Sequence, residues 1–230
     1  MTEQGITILN DVTLNSVSND GNKPVITANG QNYTFDAVLY ATGRKPNTAN
    51  IGLENTDITT NERGAIIVND TCESSVPGVY AVGDVNGGPQ FTYISLDDFR
   101  IVFGALTGNG QYTLKDRKNI PYTTFLTPPL ARIGLTEEDA INKGYTVKTK
   151  EMLVATMPRA HVNDYLKGAF KIVVDAENNL ILGATLYSQG AEELINLIKM
   201  AMDNNIPYTY FKNQIFLIYF KFLLQNFIFF

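Results

Sequence analysis

One cysteine, one histidine and no glycine-rich dinucleotide fingerprint deny this 230-residue chain several common kinds of chemistry. Cys72, alone, excludes an internal disulfide, a CxxC redox pair and a cysteine-rich metal site. His161, alone, excludes a histidine-based metal cluster, so no metal ligands are expected. No GxGxxG follows an apolar run, and the phosphate-binding turn of a dinucleotide fold is missing with it. Positive charge is also in deficit. Eighteen Lys and Arg against 23 Asp and Glu give a net charge of -5 and a pI of 4.9, arguing against a nucleic-acid or anionic-membrane partner. The opening "MTEQGITILND" carries no apolar stretch of signal-peptide length, and a cytoplasmic chain is the expectation.

Apolar residues make up 44% of the chain, enough for one large core or two modest ones. The last sixteen residues, "IFLIYFKFLLQNFIFF", hold six of its thirteen phenylalanines and follow neither a helical nor an alternating period. As a helix they would reach about 24 Å, short of a hydrocarbon core of about 30 Å. All their main residue types have codons of A and T alone. The run therefore reads as a frameshift-like tail over 214–230, with a buried element or a membrane anchor as the alternatives.

Before that tail the chain reads as three blocks. "ITIL", "VTLNSVS", "PVITANG" and "QNYTFDAVLYATG" are strand-like and separated by turns at Asn19-Asp20-Gly21 and Asn29-Gly30. "GRKPNTANIGLENT" is a loop. "GAIIVND" and "VYAV" read as strands, the second delivering Gly83 and Asp84. From Thr92, Ile94, Phe99, Val102, Phe103 and Leu106 recur at helical steps up to Gly108, predicting an amphipathic helix. The third block, from near Ile120, reads strand, strand, a short helix capped by Thr136, three more strands, and an amphipathic helix with Leu194, Leu197, Ile198 and Ala201 on one face. Its βαβββα order predicts an α+β layer.

Two strand ends carry the chemical interest. In "VYAVGDV" an apolar run stops on Asp84. A carboxylate there needs a partner, because an unpaired buried charge is costly. Ligand hydroxyls can supply one, since open α/β folds bind ligands at the carboxyl ends of strands. Gly83 permits close backbone approach, and a helix starting near Thr92 offers unpaired amides to an electron-rich ring or anion. The plainer alternative is that Asp84 caps a turn. "DAVLYATGRKPNT" similarly presents Ala41-Thr42-Gly43, whose plainer reading is a tight turn out of a core strand.

In order, "ATGRKPNT", "VPGVYAVGDV" and "TPPLARIGLTEEDA" resemble the pyridine nucleotide-disulfide oxidoreductases, flavoproteins that include glutathione, mercuric and lipoamide reductases. The resemblance runs from about Gly5 to about Phe216. "MPRAHVNDYLKGAFKIVVD" and "IPYTYFKNQIF" look nearest to a mercuric-reductase-like branch that includes hypothiocyanous acid reductases. The resemblance implies an α/β fold with α+β: remnants of the NAD(P)- and FAD-binding domains, followed by a dimerisation domain. Residues 1–49 would end the NAD(P)-binding domain, 50–118 form the C-terminal part of the FAD-binding domain, and 119–213 form the dimerisation domain. It also implies roles. Asp84 would bind the ribityl-pyrophosphate region of FAD, with Phe91 and Thr92 beside the flavin ring. Gln90 would face the nicotinamide, and Gly43 would bring backbone near the pyridine nucleotide.

The departures matter as much. Both dinucleotide fingerprints, the redox cysteine pair and the family's His-Pro-Thr segment with its glutamate are absent, and "LIYFKF" stands where that segment is expected. No catalytic residue is therefore assigned. The expectation is a C-terminal fragment of a homodimeric, FAD-dependent NAD(P)H oxidoreductase acting on a disulfide-like or oxidised small substrate. FAD and NAD(P)H would bind weakly or not at all to this chain. The alternative is a non-catalytic dimerisation or interaction module. His161, in a loop between strands, reads as a solvated or core-capping residue, Arg159 as an ordinary surface cation and Cys72 as a partly buried structural thiol.

Overall fold

The computed structural model describes residues 2–212, 214 and 215, so the expected tail over 214–230 lies almost wholly outside the described residues. Three antiparallel strands open the chain in the order β1 (Leu14–Asn19), β2 (Pro24–Ala28), β3 (Gln31–Thr34). Asn29 and Gly30, at φ 50° and 77°, supply the positive angles that a tight hairpin turn needs. Ala28 is the one buried residue of these strands, so the ladder holds them together more than any core does.

Four expected strands do not form. "ITIL" lies outside β1. Ala37–Tyr40 joins no sheet and makes no backbone hydrogen bond among the described residues, and Leu39 is 90% exposed. "GAIIVND" and "VYAV" keep only the isolated bridges Thr60–Ile66 and Glu73–Tyr80. Apolar, β-branched sequence makes strand conformation favourable, but a ladder also needs a neighbour to take up its N–H and C=O groups. Among the described residues "GAIIVND" and "VYAV" find such a neighbour only for single bridges, and Ala37–Tyr40 finds none.

Helix α1 (Thr92–Thr107) ends on Gly108 as predicted, yet its buried face is Ile94, Asp98 and Ile101. The expected core residues Phe99, Phe103 and Leu106 are each more than half exposed. The helix packs chiefly against the 3₁₀ turn Gly83–Asn86 and buries one side only.

The third block forms as read. Strands β4 (Tyr122–Thr124), β5 (Leu130–Gly134), β6 (Val147–Leu153), β7 (Ala169–Asp175) and β8 (Ile181–Tyr187) make an antiparallel sheet in the order β4-β5-β8-β7-β6. Phe170 sits opposite Leu186, and Ile172 opposite Ala184. Ala131 and Ile133 of β5 extend that face. Helix α4 (Ala191–Asp203) covers it with Ala191, Ile195, Ile198 and Ala201; Leu194 is partly buried, while Leu197 is 38% exposed. Helix α2 (Glu137–Asn142) starts at the predicted cap, where the Asp139 amide donates to Thr136 Oγ1 at 3.0 Å. Two short helices escape a periodicity reading because five residues span little more than one turn: α3 (Pro158–Val162) and α5 (Tyr208–Lys212). The result is a mixed α/β structure with antiparallel sheets. Among the described residues no helix is long and apolar enough to cross a membrane.

Candidate functional site

The run "VYAV" delivers Asp84 onto a 3₁₀ turn, Gly83–Asn86, directly after the extended residue Val82. Asp84 Oδ2 accepts a hydrogen bond from Arg44 Nη1 at 3.0 Å. Arg44 follows Gly43, so the two motifs, 40 residues apart, converge on one ion pair. Side-chain exposures of 69% and 40% limit that pair to about 0–1 kcal/mol. Its meaning is geometric: the two loops face each other. Gly83 (φ 73°) is required here, since a Cβ would lie 2.6 Å from Ser95 Oγ on α1.

A residue the sequence reading passed over organises this turn. Asp98 is 1% exposed. Its Oδ2 accepts from the Gly83 amide at 2.7 Å and from Asn86 Nδ2 at 2.9 Å, and its Oδ1 accepts from Arg117 Nη2. Arg117 Nε donates in turn to Asp97 at 2.7 Å. An acid on the helical step between Ile94 and Ile101 reads as solvent-facing by its charge alone, and its partners lie 12 to 19 residues away.

Cys72 lies fully buried under the same network, and its carbonyl accepts from the Ala81 amide at 3.0 Å. Burial first, and then the Asp98 carboxylate, push its thiol from 9.0 to about 11. Such a thiol stays protonated and inert at neutral pH. The raised value makes its stability contribution complete below pH 9 and progressively lost as pH climbs toward 11. An aromatic disulfide reagent at pH 8 is therefore expected to titrate no thiol in the folded chain and one thiol in denaturant. Rapid labelling of the folded chain would show Cys72 accessible.

The remaining expected site residues gather near α1. Phe91 is its N-cap and Thr92 its first residue, exposed, with no side chain capping that end. Phe91 stacks on Tyr93 at 5.1 Å and on Tyr122 of β4 at 6.3 Å, and Arg132 lies 5.9 Å above the Tyr122 ring. This ladder ties the start of α1 to the five-stranded sheet. Gln90, exposed, lines a cavity of about 240 Å³ with Pro46, Asn61, Arg63, Gly87 and Gly88, again joining the "GRKP" loop to the GD turn. Gly43 (φ 99°) has open space where a Cβ would point.

His161 sits on α3, not in a loop, and a ring nitrogen is 2.7 Å from the Ala155 carbonyl oxygen. Arg159 is half-buried, beside Met157, Asn163 and Phe170 at a small cavity.

Comparison with known proteins places these features in context. The family model "Pyridine nucleotide-disulphide oxidoreductase" matches residues 1–98, and its "dimerisation domain" model matches residues 120–218. The probable pyridine nucleotide-disulfide oxidoreductase RclA of Escherichia coli (strain K12) is 42% identical over 93% of this chain and 48% of its own length. A mercuric reductase of Staphylococcus aureus is 36% identical over 88% of this chain and 38% of its own. The solved structure of the HOCl-induced flavoprotein disulfide reductase RclA from Escherichia coli aligns with a TM-score of 0.88 at 41% identity, covering 94% of this chain and 50% of that one. The chain thus spans about half the length of these relatives, or less.

Proposed function

Because the chain belongs to the pyridine nucleotide-disulphide oxidoreductase family, we propose that it supplies one half of an FAD-dependent NAD(P)H oxidoreductase acting on a disulfide-like or oxidised small substrate. Residues 1–49 end its NAD(P)-binding domain, 50–118 close its FAD-binding domain, and 119–213 dimerise it. The observation that carries this reading is the Arg44–Asp84 pair, which brings the ATG and GD motifs to one place.

The local chemistry fits part of a flavin dinucleotide. Asp84 can accept hydrogen bonds from ribityl hydroxyls once Arg44 shares or releases it. Phe91 and Thr92, at an uncapped helix start, suit an electron-rich ring edge. Gln90 and the Gly43 backbone suit the nicotinamide side. A cavity of about 240 Å³ is below the roughly 300–1,000 Å³ of small-molecule pockets, so these residues form a partial cradle. When bound, FAD accepts hydride from NAD(P)H and passes electrons onward. With one cysteine, the 230 residues hold no dithiol to take those electrons, and with no GxGxxG they lack the amide-lined turn for a pyrophosphate. We therefore assign no turnover to the chain by itself.

A non-catalytic dimerisation module is the second reading, favoured by the complete core of the five-stranded sheet under α4. Light scattering with an absorbance scan tests both. The purified chain is expected at twice its 25.5 kDa mass and without flavin colour. A monomer would defeat dimerisation, and a stoichiometric flavin spectrum would defeat the partial cradle.

A further inference from the structure

Three consecutive residues between α1 and β4 reach in opposite directions. Arg117 reaches back to α1: its Nε donates to Asp97 at 2.7 Å and its Nη2 to Asp98. Asp98 in turn accepts from the Gly83 amide and from Asn86, both on the turn that presents Asp84. Lys118 and Asn119 reach forward to α4. The Lys118 carbonyl accepts from Lys199 Nζ at 3.2 Å, and Asn119 Nδ2 donates to Asp203 Oδ1 at 2.9 Å. Lys199 and Asp203 are themselves paired one helical turn apart. Asn119 adopts φ 44°, a left-handed angle that asparagine tolerates better than most residues. A chain of hydrogen bonds, bridged by the backbone of 117–119, therefore runs from the GD turn to α4.

Side-chain packing does little at this junction. A cavity of about 430 Å³ lies between α1, residues 112–121 and α4, with Asp97, Arg117, Lys199 and Asp203 on its walls. The Phe91–Tyr122 stack and the 2.7 Å bond from Tyr93 Oη to the Pro121 carbonyl also span it, but neither is hydrogen-bonded to the GD turn. Among the described residues Arg117 is the one partner of Asp98 outside that turn. A guanidinium suits the task, because its planar fork sets two N–H groups on two separate carboxylates, which a lysine ammonium holds less rigidly. At 10% exposure, water competes little for those bonds. Resting on the function proposed above, in which Asp84 meets flavin hydroxyls, we infer that Arg117 is a positioning residue. Through it, α4 and its sheet set the orientation of the GD turn and hence of the Asp84 carboxylate. Arg117 acts by way of Asp98 and needs no ligand contact of its own.

Amide hydrogen exchange followed by NMR on the full chain tests this. No cofactor is added, so its failure is separate from failure of the flavin reading, which the absorbance scan reports. Arg117→Lys keeps the charge but not the fork. It is expected to speed exchange at Gly83 about tenfold, with Ile172 and Leu186 of the sheet unchanged. Asn119→Gly combined with Lys199→Met cuts the link to α4, keeps the left-handed angle, and leaves Arg117, Asp98 and the turn untouched. About threefold faster exchange at Gly83 is expected from it. Lys115→Met, which breaks the exposed Lys115–Asp70 pair in the same segment, is the control and leaves Gly83 unchanged. Should Arg117→Lys fail to fold, the double variant decides by itself. Exchange at Gly83 within about twofold of the unmutated chain, in either folded variant, overturns the inference. So does acceleration matched at Ile172 and Leu186, which reports global unfolding and not a displaced turn.

Discussion

Replacing Asp98 with alanine is expected to cost about 3–5 kcal/mol and to unravel the turn that presents Asp84. The carboxylate is 1% exposed and takes hydrogen bonds from the Gly83 amide, Asn86 and Arg117. Its removal leaves the Arg117 guanidinium, 10% exposed, with Asp97 alone, and leaves the Gly83 amide without its acceptor. Breaking one partner of a buried pair costs far more than the intact pair contributes, because the remaining charge stays desolvated. Asp98→Asn, which keeps one acceptor oxygen, is expected to lose less. Denaturant melts with hydrogen exchange at Gly83 read the effect. A loss of under about 1 kcal/mol with Gly83 still protected would remove Asp98 from its organising role.

The second large effect is expected in the five-stranded sheet. Gly168 has φ 132°, and a Cβ placed on it would run into the Tyr187 carbonyl oxygen. That oxygen belongs to the strand next to the one Gly168 introduces, so it cannot swing away as a side-chain tip would. Gly168→Ala adds about 1–3 kcal/mol of backbone strain and about 1–3 kcal/mol of overpacking. Against the 5–15 kcal/mol of a typical domain, this loss threatens folding of the whole sheet. A thermal melt unchanged within a few degrees would contradict it. Gly144→Ala is a control for positive φ without a clash, since nothing lies within 4 Å of its Cβ position.

The same physics explains which parts of the fold were legible in sequence. β7 and β8 are rich in apolar and β-branched residues, and Phe170 and Ile172 meet Leu186 and Ala184 across the ladder under α4, so local pattern and tertiary packing agree. Ala37–Tyr40 and "VYAV" have equal strand character in composition, but among the described residues the first has no ladder partner and the second only an isolated bridge, which no local pattern reports. For α1 the spacing identified a helix but not its covered side, because apolar residues occupy both faces. Asp84, Gly43 and Thr92 were singled out by strand-end and helix-start patterns, Gln90 and Phe91 by motif resemblance, and the structure brings Asp84 and the "ATGR" loop together. Asp98 and Arg117 had no motif and no period. Their pairing exists only in three dimensions.

The central claim is that these 230 residues carry one side of a flavin-dependent reductase site without its turnover. Purified chain supplied with FAD, NADH or NADPH, and a disulfide or mercuric substrate tests it most directly by following nicotinamide oxidation at 340 nm. The account predicts the rate of a protein-free blank with both cofactors and both substrates. Oxidation above that blank that scales with chain concentration, alongside a stoichiometric bound-flavin spectrum, would contradict it.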